Sequence, residues 1–387
     1  MLDNTSLDDG TFSFLAQKAR QRLPRLFSDY LDGGAHGEHT LRRNRAAFTG
    51  WSLLPRGLRN VSSIDLTTKC FGQRWNLPFF LAPVGFAGMF HSDGEVGAAR
   101  SAAQHGIGMG VSTFSIAAME SLPGCGANLM AQIYVLKDRA ITRDMLSRAR
   151  SCGISGIIVT IDTAITPLRE RDARNGFRNL SRPTLQQVAG LLTRPAWLCD
   201  TLLHGHMTVR NIERYTSARG VMAQARDIAS QIDSQLTWED LKQLRDIWSG
   251  TLVLKGIMHP EDALRALELG VDGLIISNHG GRQLDPSPAT LDVLPTIAEA
   301  LNGRIDIVID GGLRRGGDVL TALALGATAI SFGRPWAWGL AAQGEQGIQT
   351  AIDRLAHEVR DVMALAGLNS LTAMRQAGRA ALWPPET

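Results

Sequence analysis

Eight short apolar runs alternate with amphipathic stretches along most of this chain, and that alternation restricts its fold more than any other feature. The runs are Pro78–Phe86, Ile107–Thr113, Leu129–Val135, Gly156–Asp162, Thr251–Gly256, Gly273–Asn278, Ile305–Gly311 and Ala329–Gly333. Several are hydrophobic almost throughout, as strands covered on both faces of a parallel sheet must be. Between them lie helical patterns such as Glu261–Glu268 and Gly316–Ala324, the rhythm of βαβ units. Eight parallel strands with intervening helices leave no open edge if they close on themselves. The expected architecture is therefore α/β, a (β/α)8 TIM barrel.

A doubly wound sheet with a dinucleotide site is the rival, and Gly106-Ile-Gly-Met-Gly110 is its best support. Those glycines fall inside a strand pattern, and no third glycine opens a helix. They read as close backbone contact, and the fingerprint is absent. Two segments lie outside the minimal barrel, within a chain read as one domain over 1–387. Residues 1–50 form an N-terminal helical extension, with Pro24 opening a helix and Gly33-Gly34 ending it. A long insertion after the fourth strand, about 177–238, far exceeds an ordinary βα loop and is expected to be a lid, an interface or a membrane segment.

Charge and cysteine usage narrow the class. The 40 basic residues nearly balance the 37 acidic ones, so charge alone gives no reason to expect nucleic-acid binding. Cys70, Cys125, Cys152 and Cys199 are widely spaced, which argues against a disulfide framework and against a metal site. The first residues carry no basic stretch followed by an apolar core, and no apolar run is long enough to cross a bilayer. The reading is a cytoplasmic protein, with peripheral attachment at the inner face of the cytoplasmic membrane as the alternative.

Polar residues gather at the C-terminal ends of the runs, where a barrel builds its active site. These ends supply Gln132 and Tyr134, Thr160 and Asp162, Lys255, Ser277 and His279, Asp310, then Gly333 and Arg334. The most informative stretch is Ser277-Asn-His-Gly-Gly-Arg-Gln-Leu-Asp285. In it, His279 can take a proton near neutral pH, and Arg282 offers a fork for a carboxylate. Either residue alone would more often be a loop histidine or a solvated arginine; their pairing at a strand end favours function. The loops Asp310-Gly-Gly-Leu-Arg-Arg-Gly-Gly317 and Ser331-Phe-Gly-Arg-Pro335 follow the last two runs and suit a phosphate. Lys255 ends a strongly apolar strand. It pairs with an acid or sits beside an electron-rich ligand, with a Schiff-base role in competition.

These residues together resemble the FMN-dependent 2-hydroxy acid dehydrogenases and oxidases, the family of glycolate oxidase, L-lactate dehydrogenase and (S)-mandelate dehydrogenase. The likeness runs from about Leu23 to Leu371, and Ser277–Asp285 is its most specific part. The resemblance implies FMN as cofactor, a small 2-hydroxy acid as substrate and a homo-oligomer, a tetramer. It implies that His279 is the base, assisted by Asp162, and that Arg169 and Arg282 clamp the substrate carboxylate. Tyr30 and Tyr134 would bond the carboxylate and hydroxyl region. Lys255 would lie by the flavin ring, with Ser112, Gln132, Thr160 and Ser277 holding that ring and the Pro83, Val84 and Gly85 backbone against it. Asp310, Gly311, Gly312, Arg314, Gly333 and Arg334 would bind the rest of FMN, its phosphate above all.

Two positions depart from the glycolate-oxidase pattern. Phe114 stands where a tryptophan is expected, and Gly85 where a slightly larger residue is common. Both point to a larger or apolar substituent such as an aryl or branched alkyl group. In the insertion, residues 177–220 carry six arginines against two acids and no lysine. With Leu185, Val188, Leu191, Leu192, Trp197, Leu198, Leu202 and Leu203 interleaved, the segment suits a membrane interface. The mandelate enzyme uses its insertion in that way, so the resemblance implies a peripheral contact through 178–215 and a quinone acceptor. Packing as a lid or subunit interface is the alternative, as is an oxidase passing electrons to oxygen. A flavin-binding protein without turnover is the non-enzymatic reading.

Overall fold

A computed structural model describes residues 7–177, 184–206 and 208–384. The start of the chain, where no signal-like pattern was read, lies outside the described residues, as do Arg178 and Arg182 of the basic insertion. Each of the eight apolar runs contains a strand. They are β1 (Phe79–Leu81), β2 (Gly108–Val111), β3 (Asn128–Ile133), β4 (Gly156–Thr160), β5 (Thr251–Ile257), β6 (Gly273–Ile276), β7 (Asp306–Asp310) and β8 (Ala329–Phe332). All pair in parallel with their neighbours in sequence, and β8 pairs with β1, so the sheet closes into a barrel.

The interior follows from the two-residue period of a strand. Phe80, Met130, Ile158, Val253, Ile275, Val308 and Ala329 share one buried apolar cluster inside the barrel. Two residues further along, the same inward side carries Gln132, Thr160, Lys255, Ser277, Asp310 and Ser331. The apolar plug thus ends in a polar ring at the C-terminal mouth. At the opposite end an antiparallel hairpin, Thr68–Cys70 with Gln73–Trp75, closes the barrel by adding Phe71 and Trp75 to that cluster. Sequence patterning did not reveal this hairpin, because its strands are only three residues each. The glycines of Gly106–Gly110 do serve close contact: a Cβ on Gly108 would stand 2.7 Å from both Phe80 and Trp75.

The N-terminal extension folds as helices Ser13–Arg22, Arg25–Asp32 and His39–Thr49. Pro24 and Gly33 bound the second of these, as expected. The first lies along the C-terminal run Arg334–Ala366, which is broken at Gln343 and Gly344. Between β4 and β5 the insertion forms helices Leu185–Leu192, Pro195–His204 and Val221–Ser230, before Trp238–Ile247 returns to the barrel wall. Pro195 separates the first two, consistent with its missing amide hydrogen. Among the described residues no helix is long and apolar enough to cross a membrane.

Candidate active site

A cleft opens over the polar ring, enclosing about 820 Å³ with the solvent at its mouth included. Of the residues singled out in the sequence, Tyr30, Pro83, Val84, Gly85, Lys255, His279, Arg282, Asp310, Gly311, Gly312, Arg314, Gly333 and Arg334 line it. They come from the ends of five barrel strands or the loops after them and from the N-terminal extension, and only the closed barrel brings them together.

His279 has a left-handed backbone, φ 58°, uncommon for a residue with a Cβ. Its amide donates to Ser277 Oγ at 3.0 Å, which holds the turn. Nδ1 lies 2.9 Å from Asp162 Oδ1. Burial lowers the imidazole pKa below its ordinary 6.5, and the nearby Asp162 charge only partly restores it. For Asp162 burial acts upward, but the charges of His279 and Lys255 outweigh it, so the carboxyl titrates below its usual range. Asp162 Oδ2 has no partner among the described residues. The close approach depends on Gly256, which sits at a register shift of β5 with φ 111°, and where a Cβ would meet Asp162 Cβ at 2.8 Å.

Lys255 Nζ donates to Ser277 Oγ at 2.9 Å and pairs with Asp310 Oδ2 at 3.4 Å. The Ser277 hydroxyl in turn donates to Asp310 at 2.8 Å. Asp310 is thus the acid that pairs with Lys255 inside the barrel. Gln132 Nε2 donates to Thr160 Oγ1, and its Oε1 accepts from Thr113 N, while Ser112 Oγ accepts from Phe114 N. These three, Ser112, Gln132 and Thr160, do not line the cleft; they are held by each other and by the backbone at its floor.

The arginines behave differently from a simple pair of forks. Arg282 Nη1 donates to the carbonyls of Tyr30 and Gly33, and its guanidinium lies 4.6 Å over the Tyr30 ring. Arg334 donates to Leu31, Gly33 and Gly280 carbonyls. Both therefore satisfy orphan carbonyls at the end of helix Arg25–Asp32 and pin the extension over the cleft. Arg282 Nη2 is buried and without a partner among the described residues. Arg169 reaches Asp172 at 3.9 Å and Gln283 Oε1 at 3.5 Å, behind His279. Burial, together with the positive charges of Arg282 and Arg314, pushes the Arg334 pKa down to about 9. Arg314 and Arg334 line the cleft beside the last two glycine-rich loops, where Gly311, Gly312 and Gly333 let backbone amides approach an anion. These residues fit the phosphate of FMN.

Burial raises the pKa of Tyr134, so its phenol stays protonated and able to donate. The Tyr30, Phe86, Phe114 and Tyr134 rings form a strip, with successive centroids 6.0, 5.7 and 5.7 Å apart. Gly85 does not leave open space here: a Cβ on it would stand 3.1 Å from Phe114 Cβ. Phe114 instead packs beside the position a Gly85 side chain would take.

The sequence motifs give no role to Phe90 or Asn211, and Ser331 and Gln283 stand inside the quoted motifs without a role of their own. Phe90 and Ser331 line the cleft, and Gln283 donates to the carbonyls of Asp162 and Ile165. Asn211, in the insertion, donates to the Ser112 and Thr113 carbonyls and accepts from Met119 N and Arg148. Nothing local marks it, since its partners lie 63 to 99 residues away. Part of the most informative motif also has a supporting use. Asn278 exchanges two 2.8 Å hydrogen bonds with Asn44, and Asp285 accepts from the His39 and Thr40 amides, docking the extension.

The insertion corrects one expectation. Trp197 is buried, donates from Nε1 to the Met89 carbonyl and packs 5.1 Å from Phe27, so it is no interfacial anchor. Leu191 and Leu198 also pack inward. The apolar face that remains exposed is Leu185, Val188, Leu192, Leu202 and Leu203.

Comparison with known proteins agrees with this geometry. The family described as FMN-dependent dehydrogenase matches residues 19–381. An L-lactate dehydrogenase of Pectobacterium atrosepticum is 40% identical over 362 residues, covering 91% of this chain and 92% of the relative. Among solved structures, the monotopic membrane protein (S)-mandelate dehydrogenase superposes with a TM-score of 0.91 at 33% identity, covering 96% of this chain and 98% of its own. A soluble mutant of the membrane-associated (S)-mandelate dehydrogenase from Pseudomonas putida gives 0.82 at 32% identity, over 96% and 99% of the two chains. The fold and site thus define a flavin-dependent oxidoreductase on a TIM barrel. The chain belongs to the family of FMN-dependent 2-hydroxy acid dehydrogenases, and FMN is its cofactor.

Proposed function

We propose that this protein oxidises an (S)-2-hydroxy acid with an apolar substituent, such as lactate, mandelate or a related acid, to the 2-oxo acid. The observation that carries the reading is the His279–Asp162 pair facing the same cleft as the partnerless Nη2 of Arg282. FMN, when bound, supplies the two-electron acceptor for the reaction. Gly311, Gly312, Gly333, Arg314 and Arg334 would hold its phosphate, and Lys255, Ser277 and the Pro83–Gly85 backbone would flank its ring, with Ser112, Gln132 and Thr160 beneath.

The chain's own part is binding, orientation and one proton. Arg282 Nη2 donates to the substrate carboxylate, with Tyr30 and Arg169 alongside, which fixes the α-carbon in one orientation. The Tyr134 phenol donates near the hydroxyl. An Nδ1–H directed at Asp162 leaves the Nε2 lone pair as the base, and the lowered pKa keeps it unprotonated at neutral pH. Once Nε2 takes the proton, the ionised Asp162 stabilises the imidazolium.

For the electron acceptor we favour a quinone reached from a membrane surface, with oxygen as the alternative. Support comes from the exposed leucines of the two insertion helices and from the monotopic (S)-mandelate dehydrogenase. Tetrameric assembly is proposed on resemblance to the family. An anaerobic visible spectrum, taken before and after adding lactate, mandelate and longer 2-hydroxy acids, tests the activity. Bleaching by one of them supports the reading, and a flavin left unchanged by all of them overturns it.

A further inference from the structure

Glu95 is a carboxylate that the proposed chemistry does not use. It lies in the first turn of helix Gly94–His105, is only 2% exposed, and among the described residues no lysine, arginine or histidine pairs with it. Its partners are backbone amides. Oε1 accepts from Ala87 N at 3.2 Å and from Ile116 N at 3.0 Å, and Oε2 accepts from Ala117 N at 3.3 Å. Ala87 belongs to the loop after β1, and Ile116 and Ala117 to the loop after β2. One side chain therefore ties together the two loops that carry Gly85, Phe86 and Phe114.

A buried carboxylate without a cation is costly to keep, and three converging amides only partly offset its desolvation. An apolar side chain there would leave the Ala87, Ile116 and Ala117 amides without this acceptor. What the carboxylate adds is a fixed distance. The loops meet again where Phe86 N donates to Phe114 O at 2.9 Å, and where the Phe86 and Phe114 rings lie 5.7 Å apart. Between these points a Cβ added to Gly85 would stand 3.1 Å from Phe114 Cβ, so the spacing of the two loops sets how much room surrounds the Phe114 side chain.

We propose that Glu95 is a positioning residue for substrate specificity: it locks the β1 and β2 loops in register and so sets the room that Phe114 leaves for the substrate's side chain. This rests on the 2-hydroxy acid reading of the same cleft. Glu95→Gln keeps the shape but turns an amide hydrogen toward donors, so the clamp opens while the fold is retained.

The experiment compares wild type, Glu95→Gln, Phe114→Ala and the double variant as holoenzymes, over L-lactate, a branched 2-hydroxy acid and (S)-mandelate. The expected result is that Glu95→Gln moves the mandelate-to-lactate ratio of kcat/KM by at least about fivefold. In the Phe114→Ala background the same change should move it no further, since interacting sites are non-additive. An unchanged ratio, an equal loss for all three acids or full additivity overturns the proposal. Loss of bound FMN in both Glu95→Gln and Glu95→Asp would overturn it too, leaving a structural role. Failure of the activity reading shows separately, as no bleaching of the wild-type flavin. Glu95 is then still tested by the affinities of pyruvate and benzoylformate, read from flavin difference spectra.

Discussion

His279 Nδ1 and Asp162 Oδ1 lie 2.9 Å apart across the cleft floor, joining the β6 and β4 loops through one charge-assisted contact. The pairing fixes the histidine tautomer and ties each group's titration to the other. His279→Gln should keep bound flavin, with its yellow spectrum, and lose at least about 10²-fold in the rate of flavin reduction. Stopped-flow bleaching under anaerobic conditions measures it; reduction at the wild-type rate would remove His279 from the base role. Asp162→Asn should cost a similar factor with FMN retained, because the amide cannot stabilise the imidazolium.

The direction of the His279 shift gives a pH dependence. Its folded pKa lies below the ordinary 6.5, so the neutral base persists down to that lower value. The acid limb of the kcat/KM profile should therefore be centred below pH 6.5. The unfolded chain binds the proton more readily, so this group also withdraws stability as pH drops below 6.5. A profile whose acid limb is centred above 6.5 would contradict both statements.

Arg282→Met removes the partnerless Nη2 and the two carbonyl bonds together. Loss of a charged hydrogen bond to substrate should weaken binding by about 1.5–3 kcal/mol, read as a raised KM and a weaker spectral response to a 2-oxo acid. FMN content should remain near that of wild type, because the phosphate loops do not depend on this side chain. Release of FMN with unchanged substrate affinity would reassign the residue.

The double substitution Leu202→Ser with Leu203→Ser removes two exposed leucines of helix Pro195–His204 and touches no residue of the cleft. Flavin reduction in solution should be unchanged, while co-sedimentation with anionic phospholipid vesicles should drop several-fold. Equal sedimentation of both proteins would favour a subunit interface for this face.

Asn211→Ala strips the side-chain donor from the Ser112 and Thr113 carbonyls and the acceptor from Met119 N, at about 1–3 kcal/mol for each buried group left unpaired. The midpoint of thermal unfolding should fall, and FMN should dissociate more readily on dilution. Deleting residues 208–220 of the insertion, which include Asn211, should have the same consequence.

Periodic features were legible in the sequence. Burial on both faces makes a parallel strand hydrophobic along its length, so all eight strands could be located, and their order implied closure. Strand ends then pointed to Lys255, Ser277, His279 and Asp310, and a glycine-rich motif to Arg282. Proline and glycine bounded helix Arg25–Asp32 and split the insertion at Pro195, because their effect on the backbone is local.

Only the tertiary structure decided which groups these side chains use and which they leave free. Arg282 and Arg334 turned out to cap the end of an N-terminal helix, an arrangement that joins residues some 250 or more positions apart. Trp197 turned inward onto Phe27, though its neighbours Leu202 and Leu203 face solvent. Glu95 and Asn211 gained their roles from amides and carbonyls, which every residue carries and no sequence distinguishes. Spacing and hydropathy are properties of neighbours along the chain, whereas hydrogen-bond partners and pKa shifts arise from neighbours in space.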